Sequence, residues 1–201
     1  MEDIMENEVL CVGGSPRKGG NTDTLIDGLI EGLKEGGVEA RRVMLRDYSI
    51  EHCIACERCR RDMTCTQFND GMHLLYPLID ECRGLVLASP AYNYNVTSQM
   101  KTFIDRLYPY YEFTDDRPRR YSSRLEGQGR KAVVMGIGEQ EDERDMRFTI
   151  GAMADPLEAL DYDIVGRMLV TGHFGRGSVA DDREAMTRAF QLGRDLAGSL
   201  D

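Results

Sequence analysis

The chain has 201 residues, 30% charged and 41% apolar, with a formal net charge of −10, which suits one domain over residues 1–201 with its own core. Because Lys and Arg contacts to phosphate supply most non-specific affinity for nucleic acids, the acidic balance argues against a nucleic-acid partner. No apolar run approaches the ~20 residues of a membrane span, and the acidic residues 1–8 lack the positive charge of a signal peptide, so we expect a cytoplasmic protein without membrane association.

Short apolar runs alternate with longer amphipathic segments, a pattern typical of βαβ units and a parallel sheet. The predicted strands cover residues 8–12, 38–45, 84–89, 131–135 and 163–170. The predicted helices cover about 21–36, 97–107, 143–160 and 181–199. This alternation predicts an α/β fold, a flavodoxin-like doubly wound five-stranded parallel sheet with helices on both faces. Its ligand is expected beyond the carboxyl ends of the strands.

A glycine-rich segment, GGSPRKGGNT at residues 13–22, lies between the first strand and the first helix. Its glycines let backbone N–H groups turn toward an anion, the hydroxyls of Ser15 and Thr22 can donate, and the helix N-terminus adds a favourable dipole. The segment matches neither the P-loop nor the dinucleotide motif. It predicts a phosphate-binding loop, and the alternative is a glycine-rich turn without a ligand.

A second segment, SPAYNYNV at residues 89–96, follows the predicted third strand. Pro90 ends the strand, and the tyrosines and asparagines after it supply aromatic faces and amide hydrogen bonds that suit a flat heterocycle. The alternative is a turn in which these residues bond only their own backbone.

Four cysteines with the spacing C-x2-C-x2-C-x5-C lie in a predicted insertion at about residues 51–70. In a reducing compartment such clustering indicates metal or redox chemistry rather than disulfides. Four thiolates suit an iron–sulfur cluster or a zinc ion. Three cysteines at consecutive intervals of three favour a cluster over the paired ligands of zinc modules, and a site without metal is the third reading.

A long loop is predicted at about residues 108–130, where several tyrosines and a phenylalanine precede the charged run DDRPRR at 115–120. Such a length without regular structure is uncommon in a compact domain and tends to be functional or mobile. The predicted roles are an active-site wall, a subunit contact or a solvated loop.

Two segments resemble a known family. The sequence GSPRKGGNT and the sequence SPAYNYNV, followed by KTFIDR at 101–106, are similar to the phosphate loop, the second loop and the next helix of flavodoxin-like NAD(P)H-dependent FMN reductases. This similarity runs from about residue 8 to 107. The cysteine run resembles that of the iron–sulfur flavoproteins in the same family, which carry a [4Fe-4S] cluster beside FMN.

The resemblance implies a set of site residues. The FMN phosphate is expected at Ser15, Arg17, Lys18, Gly19, Asn21 and Thr22. The flavin ring is expected at Pro90, Ala91, Tyr92, Asn93, Tyr94, Asn95 and Val96, with Gly136 and Gly138 of a third loop at its other edge. The cluster is expected on Cys53, Cys56, Cys59 and Cys65. No side chain is assigned a catalytic role, because the cofactors carry the chemistry.

These features predict an FMN-dependent oxidoreductase that transfers electrons between a [4Fe-4S] cluster, FMN and a redox partner protein or small-molecule acceptor. One alternative is an NAD(P)H-dependent FMN or quinone reductase without a cluster, in which NAD(P)H binds transiently over the flavin. A second is a non-enzymatic redox-sensing module. The family resemblance also implies a homodimer or homotetramer.

Overall fold

The structure is a computed structural model that describes residues 9–200. Seven strands lie in this part of the chain: β1 (Val9–Gly13), β2 (Ala40–Met44), β3 (Gly84–Pro90), β4 (Tyr111–Phe113), β5 (Tyr121–Ser123), β6 (Lys131–Ile137) and β7 (Asp163–Val170). Five of them form a parallel sheet in the order β2-β1-β3-β6-β7. This order confirms the predicted flavodoxin-like sheet. Glu8, the first residue of the predicted first strand, lies outside the described residues.

Helices cover both faces of the sheet. They are α1 (Asn21–Glu35), α2 (Cys59–Asp62), α3 (Met72–Glu81), α4 (Ser98–Asp105), α5 (Arg147–Ala159) and α6 (Arg183–Ser199). Leu10 and Val12 of β1 belong to the core on the side of α3, α4 and α5. Val9 and Cys11 point to the opposite core, which α1 and α6 cover. Because successive strand residues face opposite sides, each buried strand contributes to both cores.

Helix α3 was not predicted from the sequence. Its buried positions Met72, Leu75, Tyr76 and Ile79 follow helical spacing, but Pro77 lies inside the helix, where proline normally removes a hydrogen bond. Packing of the apolar face against the sheet stabilises the helix despite this loss.

The predicted long loop at 108–130 contains a β-hairpin rather than an irregular chain. Strands β4 and β5 pair antiparallel, with Tyr111 opposite Ser123. The rings of Tyr108 and Phe113 stack with centroids 5.0 Å apart, and the hydroxyl of Tyr111 donates to the carbonyl of Pro156 in α5 at 3.2 Å. Aromatic packing and this hydrogen bond therefore hold the hairpin against the body of the protein.

No helix among residues 9–200 has both the length and the apolar character needed to cross a membrane.

Candidate functional site

A cavity of about 150 Å³ lies at the carboxyl ends of β1, β3, β6 and β7. This is the edge of the sheet at which a doubly wound fold binds its ligand. Three predicted loops meet there with a fourth loop that follows β7. The lining residues are Ser15, Arg17, Gly20, Asn21, Thr22, Pro90, Ala91, Tyr92, Ile137, Gly138, Glu139, His173, Phe174, Gly175 and Arg176.

The predicted phosphate loop turns at Gly19 and is held by hydrogen bonds within the protein. Gly19 has a φ of +66°, which glycine adopts without a steric cost. Ser15 Oγ accepts a hydrogen bond from the amide of Arg17 at 3.2 Å. Thr22 is only 2% exposed, and its hydroxyl has no hydrogen-bond partner within the protein. A buried hydroxyl without a partner is costly, so the Thr22 side chain is suited to bond a ligand in this cavity.

A buried ion pair supports the loop from below. Asp23 is 3% exposed and accepts a hydrogen bond from the Gly19 amide at 2.8 Å. The guanidinium of Arg46 donates to both carboxylate oxygens of Asp23, at 2.9 and 2.7 Å, and to the carbonyl of Ser15 at 3.1 Å. Because Arg46 follows β2, a residue from the sheet edge neutralises the carboxylate next to the predicted phosphate site.

Thr97 joins the first two loops. Its hydroxyl donates to the carbonyl of Gly14 at 2.7 Å and accepts from the Met100 amide at 3.2 Å, which caps α4. Its own amide donates to Ser89 Oγ at 3.1 Å. The sequence analysis did not single out Thr97, although a threonine directly before a helix is a known signal for an N-cap.

The second loop makes a tight turn. Tyr92 and Asn95 exchange backbone hydrogen bonds at 2.7 and 3.1 Å, and Asn93 and Tyr94 between them have φ values of +46° and +68°. Two positive φ values are typical of a type I′ turn. The tip of the second loop is thus a turn with hydrogen bonds within its own backbone, as in the alternative given for this segment. The start of the loop, residues 90–92, lines the cavity.

The structure brings part of the predicted flavin set together. Eight residues line the cavity: Ser15, Arg17, Asn21, Thr22, Pro90, Ala91, Tyr92 and Gly138. Seven do not line it: Lys18, Gly19, Asn93, Tyr94, Asn95, Val96 and Gly136. Val96 packs into the core, and Gly136 lies within β6 because that strand continues to Ile137. For all fifteen residues a role in cofactor binding stays a prediction.

Residues 173–176 line the same cavity but were missed in the sequence analysis. His173 donates its amide to the carbonyl of Gly138 at 3.0 Å, and its Nε2 lies 3.0 Å from Asp182 Oδ2. A usable signal existed, since these residues directly follow the fifth predicted strand, and loops at the carboxyl ends of parallel strands form the ligand site.

The four clustered cysteines line a second cavity, of about 300 Å³. Cys53 and Cys56 are exposed, whereas Cys59 and Cys65 are half-buried, and all four carry free thiols. Burial raises the pKa of the Cys59 thiol to about 11, and the proximity of Cys65, Cys53 and Cys56 contributes to the rise. The structure thus places all four predicted ligands around one space.

The cysteine loop has a strained backbone. Ala55, Glu57 and Met63 have φ values between +54° and +57°, a region that costs non-glycine residues free energy. Within residues 9–200, no group of three or more His, Cys, Asp or Glu side chains has the geometry of a single-metal site.

A buried ion pair joins this loop to Arg106, the residue that directly follows α4. Arg106 is 2% exposed and Asp70 is 8% exposed. The guanidinium of Arg106 donates to both oxygens of Asp70, at 2.7 and 3.1 Å, and to the carbonyl of Glu51 at 2.7 Å. Asp70 also accepts from the amides of Glu51 and Met72. Burial raises the pKa of Asp70, but these hydrogen bonds outweigh it and hold the pKa below its usual value.

Arginines of the hairpin hold the outer side of the cysteine loop. Arg119 donates to both carboxylate oxygens of Glu57, at 2.6 and 3.2 Å. Arg124 donates to the carbonyl of Met63 at 2.8 Å. Arg60 reaches back from the loop to Asp115 at 3.2 Å. The hairpin therefore contacts the outer side of the cysteine loop, and its functional role stays a prediction.

The cavity at the carboxyl ends of the strands and the cysteine cavity share no lining residue. A third, open groove of about 830 Å³ lies between α4, α5 and the hairpin. It shares Asp105 and Tyr108 with the cysteine cavity. Lys101 in this groove pairs with Asp105 along α4, as the four-residue spacing predicts.

Comparisons with known proteins agree with this geometry. The family model for NADPH-dependent FMN reductase matches residues 7–137. An iron–sulfur flavoprotein of Archaeoglobus fulgidus is 35% identical over 94% of this chain and 78% of its own length. One from Methanocaldococcus jannaschii is 26% identical over 94% of this chain and 95% of its own. Among solved structures, an NAD(P)H:quinone oxidoreductase from Methanothermobacter marburgensis has the same fold, with a TM-score of 0.72 and 18% identity over 95% of this chain and 99% of its own.

Proposed function

The chain belongs to the NADPH-dependent FMN reductase family, similar to its iron–sulfur flavoproteins, and is a flavin-dependent oxidoreductase that binds FMN; from this premise we propose that it transfers electrons between FMN and a [4Fe-4S] cluster. The observation that carries the proposal is the convergence of Cys53, Cys56, Cys59 and Cys65 on one cavity. Because the chain belongs to an oxidoreductase family, we do not retain the alternative of a non-enzymatic redox-sensing module.

We place FMN in the cavity at the carboxyl ends of the strands. The N-terminus of α1, which begins at Asn21, and the buried hydroxyl of Thr22 offer donors for the phosphate. Pro90, Ala91 and Tyr92 form the wall proposed for the flavin ring. When bound, FMN would supply one- and two-electron redox chemistry, and the protein would set its position and polarity.

The cysteine cavity fits a cluster better than a single ion. A tetrahedral zinc ion draws four thiolates to about 2.3 Å from one point, whereas a cubane cluster takes one thiolate at each of four irons and needs a wider space. Four cysteine thiols line a cavity of about 300 Å³, and the chain is 35% identical to a protein named an iron–sulfur flavoprotein. Both observations support the larger group. The cluster would exchange single electrons with FMN and with an external partner.

The protein's own residues would then act by holding the thiols in place. Arg106 and Asp70 fix both ends of the loop, and Glu57 and Arg119 fix its middle. No side chain near the thiols is required as a proton donor for this electron transfer.

A cluster-free NAD(P)H-dependent FMN or quinone reductase is the second candidate. The two cavities have no lining residue in common, so within one chain no residue would contact both the flavin and the cysteines. This separation favours a reductase without a cluster. In that case NAD(P)H would bind transiently over the flavin.

We further propose a homodimer or homotetramer and a redox protein or small molecule as electron partner. A cytoplasmic location fits the six cysteines among the described residues, which form no disulfide, since a reducing compartment disfavours disulfides.

The test is anaerobic purification with iron, acid-labile sulfide and FMN quantified per chain. The proposal expects four irons and four sulfides beside one FMN, and Cys59→Ala should remove the iron but retain FMN. Cys82→Ala is the matched control, because Cys82 is a buried thiol outside the cavity, and it should keep the full iron content. FMN without iron, with rapid NAD(P)H oxidation, would establish the cluster-free reductase instead.

A further inference from the structure

The loop after β7 lies across the phosphate loop, more than 150 residues away in sequence. Arg17 donates to the carbonyl of Phe174 at 3.4 Å, and its guanidinium lies 5.1 Å from the centroid of the Phe174 ring. From the other direction, Arg176 Nε donates to the carbonyl of Lys18 at 2.7 Å. Each loop therefore supplies an arginine that binds the backbone of the other loop.

Asn21 adds two contacts between the same loops. Its Nδ2 donates to the carbonyl of His173 at 3.3 Å, and its Oδ1 accepts from the amide of Val179 at 3.2 Å. The side chain of Asn21 thus bonds both ends of the segment 173–179, which we call the latch. Because Asn21 begins α1, the latch closes at the helix N-terminus where an anion is favoured.

The latch is itself fixed to the body of the protein. His173 bonds Gly138 through its amide and Asp182 through its ring. Asp182 also accepts from the Ala185 amide at 3.0 Å, which caps α6. Consequently the latch has a defined position rather than that of a free surface loop.

The charges around the cavity favour a dianionic group. Two arginines, Arg17 and Arg176, line it beside the buried, unpartnered hydroxyl of Thr22. The facing carboxylates are Glu139, which lines the cavity, Asp182, which is paired with His173, and Asp23, which is paired with Arg46. Charge-assisted bonds to a phosphate are roughly twice as strong as neutral ones.

We propose that the latch, with Arg176 as its positioning residue, selects the phosphorylated flavin over unphosphorylated riboflavin. Arg176 holds the Lys18 carbonyl, and the Gly19 amide of the same peptide donates to Asp23. The loop is therefore fixed from both sides and presents Arg17 and Thr22 to the phosphate. Riboflavin lacks that phosphate and gains nothing from the ordered loop. This inference rests on the placement of FMN in this cavity.

The test uses the full chain depleted of flavin and titrated with FMN and with riboflavin by fluorescence quenching. Arg176→Gln should raise the Kd for FMN about tenfold, the value of one charge-assisted bond, and change the Kd for riboflavin less than about twofold. Arg188→Gln, an exposed arginine on α6, is the matched control and should change neither. Arg176→Lys, which retains one donor, should recover part of the FMN affinity.

Three results would overturn the proposal in different ways. Equal weakening of FMN and riboflavin would make the latch a general wall without selectivity. Unchanged FMN binding in Arg176→Gln, together with weakened binding in Thr22→Val, would reject the latch but keep the cavity. Unchanged FMN binding in both variants would show that FMN lies elsewhere and reject the placement itself. If Arg176→Gln does not fold, Phe174→Ala, an exposed latch position, replaces it with the same expectation.

Discussion

The two proposed cofactor regions of this chain are built in different ways. The proposed flavin cavity lies where strands end, and buried groups of the fold, Asp23 and Thr97, set its loop geometry. The cysteine loop is an irregular segment between β2 and α3 with three non-glycine residues at positive φ. Its position depends on Arg106 from α4 and on the hairpin.

The difference shows which interactions stabilise the conformation of each region. Parallel strands and helix N-termini place donors at one edge of the sheet before any ligand binds. A strained loop persists only when its surroundings over-determine it. We therefore expect FMN binding to persist when the contacts that hold the cysteine loop, such as the Arg106–Asp70 ion pair, are removed. We also expect the cysteine loop to keep its iron when the phosphate loop is changed.

The largest expected effect is at the base of the cysteine loop. Arg106→Met leaves the buried carboxylate of Asp70 without its partner, which should lower the free energy of unfolding by about 3–5 kcal/mol, measured by urea denaturation. The double variant Arg106→Met/Asp70→Asn, which removes both charges, should show a smaller decrease in the free energy of unfolding. Iron content should fall in the single variant while FMN affinity changes little. A parallel loss of FMN affinity would break the comparison, because the two regions would then be coupled.

At the flavin end, Thr97→Val removes the bond to Gly14 and the cap of α4. We expect a loss of about 1–2 kcal/mol in unfolding free energy, together with weaker FMN binding and unchanged iron content. Thr102→Val, on the same helix, is the control. If Thr97→Val lowered iron content as much as FMN affinity, the proposed independence of the regions would be wrong.

The smallest effect is a dependence on pH. Because the folded protein holds the pKa of Asp70 below its usual value of 3.8, the ion pair stabilises the fold fully above that value, and the stabilisation is lost as the pH falls through the lowered pKa. Each unit of lowering corresponds to about 1.4 kcal/mol. Urea denaturation of wild type and Asp70→Asn between neutral pH and pH 3 should give curves that converge on acidification. Parallel curves would show that Asp70 does not carry this stabilisation.

Much of the flavin region could be predicted locally. Glycines, Ser15 and Thr22 between a strand and a helix indicate an anion site by themselves. Seven of the eight predicted residues that line the cavity lie within the runs 15–22 and 90–92. The latch contains no such motif, and its only sequence signal is its place after the fifth predicted strand. Its contacts with Arg17, Lys18 and Asn21 were visible only in the tertiary structure. Helix α3 was missed because Pro77 opposes a helical pattern that tertiary packing then stabilises.

The sequence by itself determined the five parallel strands, the glycine-rich loop after the first of them and the presence of four closely spaced thiols, because each depends on residues near one another along the chain. Only the tertiary structure decided what holds these parts in place. Asp23 with Arg46, Asp70 with Arg106, Glu57 with Arg119, and the latch over Asn21 all join distant segments. Buried charges and orphaned donors need partners wherever the fold brings them, and sequence spacing does not record that proximity.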